Sequence, residues 1–157
     1  MHKRIILVGP TASGKNFIRD KFREKGYKID CSYTTRSPRE GELEAIDYHF
    51  VTPDFFSKMA DNNHFYESVK YGEFQYGTGV LEWRNMEVFI METDGVEHIT
   101  VYDRKECLVI YINTSSEVRV KRMAERGWDD VKITERIRID NKNFDNFKDY
   151  DLQIKSE

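Results

Sequence analysis

Apolar residues along this chain occur in short continuous runs that are separated by amphipathic stretches. The first run is Ile5-Ile6-Leu7-Val8, and others occupy residues 88–91 and 107–112. A run that is apolar at every position predicts a strand buried on both faces, as in the middle of a parallel sheet. After the first run, apolar residues recur at helical spacing until Gly26, which predicts a helix. Strands that alternate with helices indicate an α/β fold, an open parallel sheet flanked by helices.

Local signals place the other elements. Thr52 and Pro53 predict the start of a short helix, as its N-cap and its first helical residue. The run Thr114-Ser115-Ser116-Glu117 resembles a capping box that opens another helix. We also predict a helix over residues 131–144 and a last short strand over residues 150–154.

The segment between residues 28 and 78 has a different texture. Its apolar residues alternate in short pieces, which are interrupted by residues such as Pro38 and Gly41. Residues 65–69 and 73–76 predict a hairpin that turns at Gly72. We therefore expect a small mixed α/β lobe inserted into the larger parallel-sheet domain.

Composition narrows the class of protein. Of 157 residues, 39% are hydrophobic, 34% charged and 13% aromatic, which suits a folded domain. The net charge of −3 argues against a general nucleic-acid binder. Two cysteines, Cys31 and Cys107, cannot form a disulfide framework and fit a reduced compartment. No apolar run reaches the ~20 residues that span a bilayer. We expect a cytoplasmic monomer or homodimer with neither nucleic-acid nor membrane partners.

A glycine-rich loop follows the first predicted strand. The run Gly9-Pro10-Thr11-Ala12-Ser13-Gly14-Lys15 has the phosphate-loop spacing G-x-x-x-x-G-K. Glycines let several backbone N–H groups converge on one anion, and the N-terminus of the next helix adds its dipole. Lys15 is expected to reach the β- and γ-phosphates of a nucleotide as a point charge. Because the motif lies between a buried strand and a helix, it indicates phosphate binding rather than an ordinary glycine turn.

Residue 16 departs from this motif. Asn16 stands where a serine or threonine normally binds Mg²⁺. Its amide oxygen is a hard ligand that can take Mg²⁺ directly or through water. It is also bulkier than a hydroxyl, so the alternative is a loop that binds phosphate but catalyses poorly.

The predicted lobe carries a second cluster of polar groups. Arg36 and Arg39 lie three residues apart, and guanidinium groups bind phosphate oxygens in pairs. Glu67 is a lone carboxylate among aromatic and apolar neighbours, and a carboxylate can accept the two N–H bonds that guanine presents. Hydroxyl groups of Ser32 and Thr78 would then donate to the guanine oxygen. The alternative is a surface salt-bridge cluster, which is common in a chain with 34% charged residues.

Taken in order, these motifs resemble those of the guanylate kinase family. The resemblance covers nearly the whole chain, as a short version of the family with Asn16 in its phosphate loop. The matching segments beyond the loop are Ser32 to Glu42, Asp47-Tyr48-His49-Phe50, Phe65-Tyr66-Glu67, Tyr76-Gly77-Thr78, Arg122, Arg126-Gly127 and Arg136.

The resemblance implies a role for each matched residue. At the GMP site it implies Ser32, Glu67 and Thr78 for the base and Arg36, Arg39, Tyr48 and Tyr76 for the phosphate. At the ATP site it implies Gly9, Pro10, Thr11, Ala12, Ser13, Gly14, Lys15, Asn16, Arg122 and Arg126. For catalysis it implies Lys15, Arg36, Arg126 and Arg136, of which the last two belong to a mobile lid. A solvated helix face is the alternative for the lid arginines.

One GMP-site residue has two candidates. After the strand at residue 88 the family carries an aspartate, and here Glu92 and Asp94 compete for that position. Alignment on Gly95 favours Glu92, which is one methylene longer.

The resemblance implies an ATP-dependent kinase that converts GMP, or dGMP, to the diphosphate with Mg²⁺. It also implies a P-loop NTPase-type core domain, formed by residues 1–30, 80–121 and 137–157. Residues 31–79 would form the GMP-binding lobe and residues 122–136 the helical lid.

Two alternatives stay open at this point. One is a non-catalytic guanylate-kinase-like module that binds a peptide or phosphopeptide, to which Asn16 and Glu92 point weakly. The other is a nucleoside monophosphate kinase with a different acceptor.

Overall fold

The computed structural model describes residues 2–156. Along them the strands and helices follow one another as β1 (Arg4–Val8), α1 (Lys15–Glu24), β2 (Tyr33–Thr34), β3 (His49–Phe50), α2 (Pro53–Asp61), β4 (Phe65–Tyr71), β5 (Phe74–Gly79), α3 (Val80–Asn85), β6 (Val88–Ile90), α4 (Thr93–Glu97), α5 (Val101–Arg104), β7 (Cys107–Thr114), α6 (Ser116–Glu125), α7 (Asp130–Phe144) and β8 (Leu152–Ser156).

The larger domain is built on a parallel sheet with the strand order β6-β1-β7-β8. The three predicted apolar runs form its strands β6, β1 and β7, and β1 lies between the other two. Ile29 adds a parallel bridge to Val88 at the β6 edge. Since β1 is central and parallel to its neighbours, its carboxyl end delivers the glycine loop to the middle of one sheet edge. The predicted parallel α/β sheet is confirmed.

Both faces of this sheet are buried. One face packs Ile6, Val8 and Phe89 against a cluster that includes Trp83 and Phe144. The other face packs the side chains of Leu7, Val88, Ile110 and Ile112 with Ile18 and Phe22 of α1. Burial on both faces explains why these strands are apolar at every position.

The second sheet has the order β3-β2-β5-β4 and is mixed, because β2 pairs with β3 in parallel and with β5 in antiparallel orientation. Its elements fall between Tyr33 and Gly79. Strands β4 and β5 form the predicted hairpin, and Gly72 at its turn has φ of 62°. A positive φ is accessible to glycine at little cost, so the sequence signal and the turn agree.

The predicted cap of α2 is present, and that of α6 lies one residue later than the capping box Thr114-Ser115-Ser116-Glu117 requires. The Thr52 side chain accepts a hydrogen bond from the Phe55 N–H at the start of α2. At α6 the N-cap is Ser115, whose hydroxyl accepts from the Val118 N–H. Sequence patterns did not predict the short helices α3, α4 and α5, which have six, five and four residues. None of the helices in the described part of the chain is long and apolar enough to cross a membrane.

Candidate functional site

The phosphate loop joins β1 to α1 through two left-handed residues. Ala12 has φ of 63° and Gly14 has φ of 102°. Gly14 is the N-cap of α1, and no side chain caps the helix there. The first N–H groups of α1 therefore have no side-chain acceptor from the cap residue, which is the arrangement that favours an anion at a helix N-terminus.

Lys15, the first residue of α1, curls back over this loop. Its ammonium group donates to the carbonyl oxygens of Gly9 and Pro10, the second at 3.1 Å. Burial lowers the pKa of Lys15, and the carboxylates of Glu92 and Asp140 oppose that shift. A cation held by carbonyl oxygens inside the loop is the group that an incoming phosphate would attract.

The arginines of the lobe are oriented by a neighbouring carboxylate. Arg36 donates to Glu42 Oε1 at 2.7 Å and to Oε2 at 3.1 Å. The backbone N–H of Arg39 donates to the same Oε1 at 2.7 Å. The Arg36 guanidinium also lies 5.4 Å from the ring centroid of Tyr48. Glu42 thus orients the Arg36 guanidinium and holds the backbone of Arg39, a role that the sequence did not indicate.

The arginines expected on the lid face the loop and the lobe. Arg122 donates to the backbone oxygen of Ala12 at 3.0 Å. The Arg136 guanidinium lies 5.6 Å from the ring centroid of Tyr71, at the end of β4. Burial lowers the pKa of Arg126, and the nearby Glu42 opposes that shift. Their approach to the cleft argues against a purely solvated helix face.

One cleft of about 630 Å³ brings these groups together. Among its lining residues are Thr11, Ala12, Ser13, Gly14, Lys15, Asn16, Arg36, Arg39, Tyr48, Tyr76, Glu92, Arg122, Arg126 and Arg136. Gly9 and Pro10, the first two residues of the loop, are buried and do not line the cleft. Among the described lining residues, five guanidinium groups and two ammonium groups outnumber the two carboxylates, Glu42 and Glu92, on this concave surface and give it a positive potential, which favours polyanions.

The three residues expected at the base lie behind this cleft. Ser32, Glu67 and Thr78 line a small void of about 10 Å³. Tyr48, Tyr76 and Glu92 line both the void and the cleft, so the two spaces adjoin. The void is large enough for about one water molecule. A purine does not fit within this void in the present arrangement.

Glu67, which lines this void, has one carboxylate oxygen without a donor within residues 2–156. The Thr78 hydroxyl donates to its Oε1 at 2.6 Å, whereas its buried Oε2 has no hydrogen-bond partner among the described residues. Burial raises the pKa of Glu67. A buried carboxylate oxygen without a donor is costly, and two N–H groups of a base would satisfy it.

The hydroxyl groups of the base site differ from our expectation. Thr78 donates to Glu67, and Ser32 donates to Oδ2 of the buried Asp30. Both hydroxyl protons are thus engaged by carboxylates in this structure rather than pointing toward a base oxygen. Burial raises the pKa of Asp30 to about 7, although the Ser32 hydrogen bond opposes the shift. If Asp30 holds a proton, the direction of the bond reverses and Ser32 is again able to donate.

The two acidic candidates lie in different surroundings. Glu92 lines the cleft and the void, whereas Asp94 is exposed on α4 and lines neither. Burial raises the pKa of Glu92 to about 7, against the opposing effect of Lys15.

The donor set for a cation is small. Asn16 is exposed at the cleft, where its amide oxygen is accessible. No group of three or more His, Cys, Asp or Glu side chains forms a metal cage within residues 2–156. Mg²⁺ in phosphoryl-transfer sites is held mainly by substrate phosphates, waters and one or two protein oxygens, so this sparse set fits it.

Sequence reasoning missed three buried acidic or basic residues next to the predicted ones. Asp140 accepts from the Thr11 N–H at 3.0 Å and from Arg119 at 2.7 Å. Asp30 accepts from Ser32 as described above. Helical charge is usually solvated, so nothing in the sequence distinguished Asp140 and Arg119 from their exposed neighbours. The only available signal was the spacing of Asp140 from Ile133 and Ile137, which places it on the apolar stripe of α7.

Comparisons with known proteins agree with this architecture. The family model described as guanylate kinase matches residues 1–157. A guanylate kinase of Aster yellows witches'-broom phytoplasma (strain AYWB) is 31% identical over 161 residues, covering 96% of this chain and 76% of the relative. That of Campylobacter jejuni (strain RM1221) is 27% identical over 162 residues, covering 96% and 78%. The crystal structure of guanylate kinase from Anaplasma phagocytophilum has a TM-score of 0.75 at 20% identity, covering 99% of this chain and 77% of that one, and supports the fold.

Proposed function

This chain belongs to the guanylate kinase family, and from that premise we propose how its residues carry out the reaction. The enzyme transfers the γ-phosphate of ATP to GMP and yields ADP and GDP. Phosphoryl transfer needs positioning and charge neutralisation more than covalent chemistry, because the GMP phosphate oxygen is itself the nucleophile. The roles of the individual residues follow from where each lies in the cleft.

GMP binds between the small void and the lobe arginines. Glu67 accepts the N1–H and amine hydrogens of guanine. The hydroxyl groups of Ser32 and Thr78 form the hydrogen bonds around the base. Arg36 and Arg39 bind the phosphate of GMP, together with the hydroxyls of Tyr48 and Tyr76. Glu92 lies where the base and the phosphate compartments adjoin. Since these contacts involve only the base and the phosphate, we expect dGMP to be an acceptor as well.

ATP binds at the phosphate loop. The backbone N–H groups around Gly14 and at the start of α1 take the β-phosphate. Lys15 leaves its carbonyl acceptors and binds the β- and γ-phosphates. Arg122 and Arg126 approach the triphosphate from the lid. Asn16 is the residue that would hold Mg²⁺, directly or through water, and the ion when bound neutralises charge on the β- and γ-phosphate oxygens.

The transition state places negative charge between the two phosphate sites. Lys15, Arg36, Arg126 and Arg136 surround that position, and each stabilises the transferring group electrostatically. An arginine that contacts the transferring group accelerates other phosphoryl transfers by about 10³- to 10⁵-fold. Water must be excluded, or ATP is hydrolysed instead.

Two segments would move to meet that requirement. We assign residues 31–79 to a GMP-binding lobe and residues 122–136 to a lid, on a core of residues 1–30, 80–121 and 137–157. The void of about 10 Å³ at Glu67 supports an opening motion of the lobe, because typical ligand pockets exceed about 300 Å³. Such closures occur on the μs–ms timescale.

The observation that carries this proposal is the single cleft that joins the phosphate loop, the lobe arginines and the lid arginines. The test is a coupled assay that follows ADP formation from ATP and GMP with Mg²⁺ and detects GDP directly. AMP replaces GMP in the matched control. GDP formation with a strong preference over AMP supports the proposal, whereas ATP consumption without GDP, or equal rates with both acceptors, contradicts it.

The alternatives receive less support. A non-catalytic module has no need of Lys15 and the phosphate loop, yet both lie in the cleft with the arginines. A kinase that phosphorylates a different nucleotide would leave the unpartnered Oε2 of Glu67 unexplained. A cytoplasmic location and a monomeric or homodimeric state stay predictions, and size-exclusion chromatography with light scattering measures the latter.

A further inference from the structure

Asp140 lies at the meeting point of four parts of the molecule. Its carboxylate accepts hydrogen bonds from the Thr11 N–H at 3.0 Å and from the Thr11 hydroxyl at 3.4 Å. It also accepts from Arg119 of α6 at 2.7 Å and from the hydroxyl of Tyr71, the last residue of β4. One side chain on α7 therefore links the phosphate loop, α6 and the hairpin of the second sheet.

This carboxylate and its counter-ion are buried where apolar residues would be expected. Asp140 is 1% exposed and Arg119 is 2% exposed. Asp140 follows Ile133 and Ile137 on one stripe of α7, and these pack against Met123 of α6 and Ala12 of the loop. A buried ion pair is weak evidence for stability, because apolar side chains of similar volume are often neutral or stabilising in its place. Packing alone does not account for the charges.

The contacts at Thr11 supply another reason for them. Thr11 follows the buried Pro10 and precedes Ala12. The φ of Ala12 is 63°, a value that is unfavourable for residues other than glycine. The Thr11 N–H donates to Asp140, so the loop is anchored to α7 at this residue. An anchored loop keeps its remaining N–H groups convergent, which is the preorganisation that phosphate binding requires.

The contact at Tyr71 extends this anchor to the lobe and lid. Tyr71 lines the cleft, and the guanidinium of Arg136 lies 5.6 Å from its ring centroid. A ring fixed through its hydroxyl gives that guanidinium a defined surface to pack on. Asp140 thereby acts on the phosphate loop and on a lid arginine at once.

We propose that Asp140, with Arg119 as its counter-ion, is a positioning residue that sets the phosphate loop and the Tyr71–Arg136 contact for phosphoryl transfer. Its function in transfer rests on the proposed kinase activity. The anchoring of the loop is a property of the protein that is measurable without turnover.

The main test replaces both charges with apolar side chains of similar shape, in the double variant Arg119→Met/Asp140→Leu. Its thermal unfolding midpoint should lie above that of Asp140→Leu alone, because no unpaired charge remains, although the Thr11 N–H and the Tyr71 hydroxyl lose their acceptor in both variants. The single variant Asp140→Leu leaves a buried cation and should unfold at the lowest temperature of the three proteins. The folded double variant should lose about 10- to 100-fold in kcat/KM, the usual effect of a small misplacement of reacting groups.

A readout without turnover separates anchoring from activity. In the double variant the amide hydrogen of Thr11 should exchange with solvent at least about tenfold faster than in the parent, because its acceptor is gone. If the parent itself makes no GDP, the proposed kinase function fails, and the exchange rate still decides the anchoring claim. Unchanged exchange at Thr11 in a folded double variant overturns it.

A matched control and a conservative variant complete the design. The control is Lys21→Met/Glu24→Leu, which removes an exposed ion pair with N–O distance 2.9 Å on α1, outside the lobe and the lid, and should stay within about twofold of the parent in kcat/KM. Tyr71→Phe keeps the ion pair and tests the second arm if the double variant does not fold. It should lower kcat severalfold, and parental kcat in this variant overturns the proposal for Tyr71. If the folded double variant keeps the parental kcat/KM, the Arg119–Asp140 pair contributes only to packing and the proposed positioning role is overturned.

Discussion

Asp30 provides a prediction whose size follows from its surroundings. Its side chain is 7% exposed, Oδ2 accepts from the Ser32 hydroxyl, and Oδ1 has no hydrogen-bond partner among the described residues. Burial raises its pKa from 3.8 to about 7, with Glu82 and Glu67 adding to the shift and the Ser32 hydrogen bond opposing it. The native state thus holds this proton more tightly than the unfolded chain does.

The sign of the pH dependence follows from that difference. Between pH 4 and pH 7 the native state binds more protons at Asp30 than the unfolded state, so the free energy of unfolding falls as the pH rises. A pKa difference from 3.8 to about 7 corresponds to at most about 4 kcal/mol, at about 1.4 kcal/mol per pKa unit. Asp30→Asn keeps the side-chain shape and removes the charge. It should therefore raise the free energy of unfolding at pH 8 by up to about 4 kcal/mol and have little effect at pH 4.

Urea unfolding of the parent and of Asp30→Asn at pH 4, 6 and 8 measures this difference in the free energy of unfolding. Glu92, whose pKa is also raised to about 7, contributes a similar slope to both proteins and cancels in the comparison. The control Asp61→Asn changes an exposed carboxyl group and should shift stability by no more than about 0.5 kcal/mol at any pH. An Asp30→Asn protein that is equally or less stable than the parent at pH 8 would refute the reasoning.

Three further substitutions test the two ends of the cleft. Lys15→Ala should lower kcat by at least about 10²-fold without lowering the unfolding midpoint, since a buried cation is removed. The control Lys21→Ala, on the exposed part of α1, should have the parental kcat. An active Lys15→Ala protein excludes Lys15 from the mechanism. Glu67→Gln should reduce kcat/KM for GMP by about 10²-fold through lost charge-assisted hydrogen bonds and leave the AMP rate unchanged; an equal loss with both acceptors contradicts base recognition by Glu67. Asn16→Ser should lower the Mg²⁺ concentration for half-maximal rate severalfold, because a hydroxyl is the smaller ligand; an unchanged Mg²⁺ dependence shows that Asn16 already suffices.

The parts of the fold that the sequence predicted are those with local causes. A continuous apolar run fixes β1 in the middle of the sheet, Gly72 permits the hairpin turn, and Thr52 caps α2 through its own side chain. Each signal involves neighbouring residues, so no tertiary information was needed.

The parts that it did not predict depend on distant residues. Strands β2 and β3 have only two residues each and exist through pairing with β5 and with each other. Helices of four to six residues, such as α5 and α4, are too short for a hydrophobic period. The burial of charged residues also depends on distant parts of the chain. Asp140 and Arg119 become a buried pair only when α6, α7 and the phosphate loop meet.

Site residues were predictable as far as a motif carries them. Except for Gly9 and Pro10, the predicted loop, lobe and lid residues line one cleft or the void beside it. It also shows which atoms orient them, such as the Glu42 carboxylate at Arg36, and a one-dimensional motif contains no such information. Hydrogen-bond direction at Ser32 is another example, because it depends on the proton of Asp30.

A crystal structure with GMP and a non-hydrolysable ATP analogue bound together tests the central claim most directly. The account predicts guanine on Glu67, the GMP phosphate on Arg36 and Arg39, and the triphosphate on the loop with Lys15, with both phosphate groups in the same closed cleft. Nucleotides bound on separate surfaces, or guanine held away from Glu67, would contradict it.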